Sequence, residues 1–121
     1  MTTVIGPEGP QPANVYCPTP TVGRIVQYVM REQDAEAINR RRQHARDHMD
    51  EHRANSNGVQ VHVGNEVKAG DVFPLVITRV WGSDPTSAFN GQVLLDGNDL
   101  FWATSTHIGT GPGYCMWPPR V

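Results

Sequence analysis

Three histidines, His44, His48 and His52, recur at intervals of four in a stretch without Gly or Pro, so they line one side of a helix. Two imidazoles at i and i+4 can share a zinc or nickel ion. The third stands about 12 Å from the first at about 1.5 Å of rise per residue, too far for one ion to join all three. No HExxH pattern accompanies them. A solvated polar face is the reading kept, with no metal and no cofactor expected.

A second group combines cations and rings. Arg24, Arg79 and Arg120 carry forked donors suited to phosphate or carboxylate. Trp81 and Trp102 offer faces on which a base can stack. These five residues form the candidate ligand-binding set. The same two tryptophans, with Trp117, Tyr28 and Phe101, are also the large rings expected to fill much of the core.

Nucleophilic and phosphate-cradling chemistry finds less support. Gly109-Thr110-Gly111-Pro112-Gly113 could present backbone N–H groups to an anion. It lacks the Gly-Lys-Ser/Thr of a phosphate loop and leads into no helix, so a hairpin loop is preferred. Ser83, Ser87 and Ser105 lie in no nucleophile elbow. Cys115 has no activating histidine beside it in sequence. Asp96 and Asp99 flank a turn, where such residues ordinarily occur. The catalytic set is therefore empty, and the chain is read as a non-enzyme.

Charge narrows the partners. Arg40, Arg41, Arg42 and Arg46 make the most basic run, yet Arg31 to Arg53 holds six arginines against six acidic residues. That segment reads as a neutral face laced with ion pairs. With a net charge of -2, nucleic acid is not an expected partner. No apolar run approaches the roughly 20 residues of a membrane span. No basic segment precedes an apolar one at the start, so a cytoplasmic location is expected. Cys17 and Cys115 sit near opposite ends; a disulfide stapling the tail to the last strand is one reading, and free thiols are the preferred one.

The elements that would position these residues follow from turn formers and periodicity. Gly 12 and Pro 10 in 121 residues point to many short elements and tight connections. Residues 1–20, with Pro7, Pro10, Pro12 and Pro18, read as a proline-rich arm. Residues 21–121 read as one domain. Thr21–Met30 is β-branched and aromatic, hence a strand. Glu32 to about Ala54 is helical, with acidic residues leading and Asn55-Ser56-Asn57-Gly58 as the stop. Its apolar stripe is thin (Ile38, Ala45, Met49), which places it on the surface or against another copy.

Val59–Val63 alternates as a strand should. Val72–Trp81 is the longest strand, and Pro74 predicts an edge or a bulge near its start. Gly91–Leu95 and Leu100–Ser105 flank Asp96-Gly97-Asn98-Asp99, a strong hairpin signal. Tyr114–Trp117 ends the series. About five short strands predict a mainly β fold: a small SH3-like or OB-like open barrel with one inserted surface helix, an α+β arrangement.

Four blocks together carry a resemblance: Thr21-Val22-Gly23-Arg24-Ile25-Val26-Gln27-Tyr28, Glu32 through Arg42, Gly91 through Asp99, and Gly111 through Val121. They resemble a family of small accessory proteins of tailed bacteriophages and prophages, over nearly everything after Thr19. Members often carry Ser or Thr before the helix, where this chain has Arg31, and a Trp near Cys115-Met116. The resemblance brings no catalytic motif.

It implies a phage origin more than a mechanism, and a small phage accessory protein with no enzyme motif is expected to be a non-enzymatic binding module. One such role is to sequester a host nucleotide-derived immune signal, arginines holding phosphates and tryptophans holding bases. An alternative is a virion structural protein, such as a capsid decoration or joining protein. A third is an inhibitor that binds a host protein through the helix. A homo-oligomer is expected under the first two, in the host cytoplasm or, for the structural role, in the virion.

Overall fold

The β-branched run after Thr21 forms a strand, β1 (Ile25–Val29), entered through a turn in which Gly23 adopts φ +93°. In the computed structural model residues 17–49 and 63–119 are described. The arm up to residue 16, the expected helical residues beyond Met49 (His52 among them), most of the Val59–Val63 segment and Arg120 lie outside them. After β1 come α1 (Glu32–Asp47), β2 (Val72–Trp81), β3 (Ala88–Leu94), β4 (Leu100–Thr106) and β5 (Cys115–Met116).

The sheet order is β4-β3-β2-β1-β5, and every neighbouring pair is antiparallel. Beyond β4 the chain reaches the other side of β5. Cys115 N–H donates to the His107 carbonyl at 2.8 Å, and Gly109 N–H donates to the Cys115 carbonyl at 2.9 Å. Ile108 and Cys115 thus form a parallel bridge. The two ends of the strand order meet there, curling the sheet into the small open barrel that the strand count predicts, with the helix inserted between the first two strands.

Alternation sorts the side chains. Val26 and Tyr28 on β1, Leu75 and Ile77 on β2, Phe89 and Val93 on β3, and Ala103 on β4 point inward and are buried. Gly91 is required by close approach. A Cβ there would lie 2.1 Å from Leu75 Cδ2 and 2.7 Å from the Val76 carbonyl.

Pro74 does not lie on an edge strand, as expected from sequence, because β2 is central. Ile77 exchanges hydrogen bonds with Gly23 and Arg24 on the β1 side. Successive strand residues alternate their backbone direction, so Val76 and Pro74 face β3. The β2–β3 register begins only at Leu75–Val93. The missing N–H of Pro74 therefore falls where that ladder stops. The irregularity in β2 lies further along, between Ile77 and Arg79.

A helix this polar docks by unusual means. Ala35 and Ile38 enter the core, and a fully buried Ile contributes about 1.5–3 kcal/mol. Three polar anchors do the rest. At the first turn, Arg31 supplies no cap. Its Nε and Nη2 instead donate to Asp34 at 2.9 and 2.8 Å, while the Tyr28 hydroxyl donates to the same carboxylate at 2.5 Å. Burial pushes the Asp34 carboxyl up, but those hydrogen bonds outweigh it and hold it below the ordinary carboxylate range. Burial, and then the adjacent carboxylate, push the Tyr28 hydroxyl well above its usual value.

In mid-helix, Asn39 clasps the Val67 backbone, donating to its carbonyl at 2.7 Å and accepting its N–H at 2.9 Å. In the following turn Arg42, 3 % exposed, donates to Asp99 at 2.8 and 3.0 Å, to the Asp96 carbonyl at 3.2 Å, and to the Asn65 carbonyl. Arg41 adds a bond to Asp99 at 2.9 Å. The arginine run is thus only partly the solvated face that its composition predicts. Arg42 is structural and faces inward.

Candidate functional site

The residues left on the outer side of the sheet form a continuous surface. Register aligns Ile25, Val76, Gln92 and Trp102 in one row across four strands. Beside it lie Gln27 with Pro74, Leu94 with Leu100, and Val29 with Val72. Past the irregularity in β2 come Arg79 opposite Asn90 and Trp81 opposite Ala88. Trp102 is 60 % exposed, Ile25 52 %, Leu100 50 % and Trp81 47 %. Among the described residues of the strands, Arg79 carries the one charge on this side. Water gains nothing from such a face, and contiguous apolar surface of this kind marks contact sites.

Three of the five sequence-derived candidates share this surface: Arg79, Trp81 and Trp102. The Arg79 guanidinium sits over the Trp81 ring, 5.7 Å from its centroid. Trp102 stands two strands to the side, about 10 Å at ordinary strand spacing. Its row through Gln92 is displaced along β3 from Asn90 and Ala88, so the separation from the Arg79–Trp81 pair is larger still. Arg24 is not with them. Its parity matches that of buried Val26, and its guanidinium lies 4.7 Å over Trp117. Arg120 lies outside the described residues.

The expectation that Trp81 and Trp102 fill the core is corrected. The interior ring positions belong to Tyr28 and Phe89, both at most 2 % exposed, with Phe101 and Trp117 partly buried beside them. Size alone favoured the tryptophans, but alternation from the hairpin at Asp96–Asp99 turns Trp102 outward, and the shift near Thr78 turns Trp81 outward.

Other candidate sites resolve into structure. Gly113 N–H donates to the Val29 carbonyl at 2.8 Å, Tyr114 N–H to Gly111 at 3.1 Å, and Gly109 N–H to Cys115. Those donors of the glycine-rich loop are committed to the fold, so they cannot cradle a phosphate. The His44 and His48 rings stack with centroids 4.1 Å apart, and His48 Nδ1 donates to the His44 carbonyl. Burial raises the Cys115 thiol to about 12, with the Thr106 hydroxyl 3.6 Å away. A shallow groove beside the helix is lined by Glu66, Asp71 and Asp96 with Val72 and Phe73, and its arginine, Arg42, is already held by Asp99. Three carboxylates at its wall repel phosphate.

Sequence reasoning located the rings and the arginine of the outer face but not the aliphatic surface joining them. Nothing in the sequence sets Ile25, Leu94 and Leu100 apart as outward-facing, and only register shows their direction. Among the described residues no helix is long and apolar enough to cross a membrane. No protein-family model, no curated protein and no solved structure matches this chain.

Proposed function

We propose that the protein is a phage-encoded, non-enzymatic binding module that works as a virion component, seating the outer face of its sheet on a neighbouring protein in the assembly. The observation that supports this reading is the row Ile25–Val76–Gln92–Trp102 with Leu94 and Leu100 beside it: broad, apolar and nearly uncharged. Surfaces of this composition are recognised by shape and desolvation, and an exposed tryptophan is a typical anchor. A decoration or joining part needs no more than that. Purified particles analysed by mass spectrometry should contain the chain in fixed proportion to the capsid protein. Particles without it would overturn the reading.

One observation favours the sequestering role instead, capture of a nucleotide-derived signal. Arg79 over Trp81, with both exposed, offers a cation and a ring to one anionic aromatic ligand. A panel of cyclic nucleotides in a thermal-shift assay tests it. A ligand in hundredfold excess over its Kd stabilises by about 2.7 kcal/mol, an easily read shift, whereas a flat response removes this role.

A further inference from the structure

The backbone directions fix what the far edge of the barrel offers. Val76 faces β3, so its partner Gln92 faces β2, and Gly91 and Val93 face β4. Their partners Ala103 and Phe101 then face back toward β3. Trp102 and Thr104 are left presenting N–H and C=O groups to the open side of β4. Among the described residues no other strand or loop pairs with them. The preceding open carbonyl, that of Leu100, is taken by Arg41 Nη2 at 3.1 Å. Beyond Thr104 the strand turns away through a bulge: Ser105 adopts φ +52° and its N–H donates to the Asn90 side chain at 2.8 Å.

Edges of this kind are ordinarily guarded by lysine, proline or an inward charge. The segment Leu100-Phe101-Trp102-Ala103-Thr104 has none of these and is strongly β-forming. Its open part is short, self-complementary and bounded at both ends, by Arg41 on one side and by the bulge on the other.

We infer that β4 pairs antiparallel with β4 of a second copy of this chain about a twofold axis at Ala103. In that register Trp102 opposes Thr104 of the other copy, and the two exchange both of their open N–H···O bonds. The symmetric pair does the same. A register centred on Trp102 would oppose Leu100 to Thr104, and the Leu100 carbonyl is already occupied. Pairing brings Trp102, Leu100 and Leu94 of the two outer faces into one surface. The paired edge spans only Leu100 to Thr104 of each copy, so it buries less than the roughly 1,000 Å² of a stable specific interface and leaves the joined outer faces open. The dimer is therefore one that dissociates upon dilution. The inference deepens the proposed function, since it takes this face as the working surface and extends it across two copies.

Sedimentation of the full chain across about 1 to 100 µM should show a mass rising to twice the 13.4 kDa of one chain. Trp102→Lys, at an exposed site, should weaken association at least about tenfold while leaving the circular dichroism unchanged. Thr104→Pro should do the same, because the N–H it removes serves no bond within the protomer. Amide exchange gives the register: the Trp102 and Thr104 N–H groups should slow as concentration rises. A monomer at every concentration, or a dimer in which these two amides exchange as fast as in dilute solution, would overturn the inference. A monomer still found in particles removes only the strand pairing, and a dimer absent from particles removes only the virion role.

Discussion

Replacing Arg42 with Met tests whether α1 is held by its polar anchors more than by its thin apolar stripe. Arg42 is 3 % exposed and Asp99 22 %. The substitution leaves Asp99 with only Arg41, and it strips the Asp96 and Asn65 carbonyls of their donor. Removing one partner of a fully buried ion pair costs about 3–5 kcal/mol. Asp99 keeps partial access to water and a second arginine, so about 2–4 kcal/mol is expected here. For a chain of this length that lowers Tm by roughly 10 °C.

The Asp99 anchor also makes stability depend on pH. Burial pushes the Asp99 carboxyl up, but hydrogen bonds from Arg42 and Arg41 outweigh it and hold it below the ordinary range. A carboxyl depressed on folding adds stability above its unfolded pKa, and that stability is lost as pH falls through the folded value. Wild type should therefore lose stability below about pH 4, and Arg42→Met should lose less of it. Thermal melts from pH 3 to 8 on wild type, Arg42→Met, Asp99→Asn and the double variant would give the coupling by a double-mutant cycle. Additive effects, or a single-variant cost under about 0.5 kcal/mol, would refute the anchoring argument.

Three further outcomes are expected. Tyr28→Phe removes a 2.5 Å bond to a charged, buried acceptor and should cost about 1.5–3 kcal/mol in urea unfolding at pH 7, with less cost under acid once Asp34 is protonated. Gly91→Ala drives a methyl group into Leu75 and should cost at least about 1–3 kcal/mol, read by the same unfolding curves, whereas pairing it with Leu75→Ala should recover part of the loss. In native protein Ellman's reagent should titrate Cys17 but leave Cys115 unmodified until denaturant is added, because Cys115 is fully buried and burial raises its thiol to about 12.

Local chemistry determined much of the architecture. Val72–Trp81 is a strand because β-branched residues dominate it, and Asp96-Gly97-Asn98-Asp99 is a hairpin turn because its residues accept the required backbone angles; Gly97 has φ +154°. The helix begins at Glu32, where sequence placed it, since propensity and dipole agree there. These signals reside within a few residues of one another, so they can be read along the chain.

What tertiary structure alone decided is direction and partnership. Nothing near Arg42 distinguishes it from Arg40 or Arg41, and its burial depends on Asp99, 57 residues away. The outward turn of Trp102 depends on a strand register, and that of Trp81 on a one-residue shift in β2. A shift of one residue exchanges the two faces of a strand. Composition therefore supplied the rings and the cation of the candidate surface, while the register set by pairing between distant strands placed them together and outside.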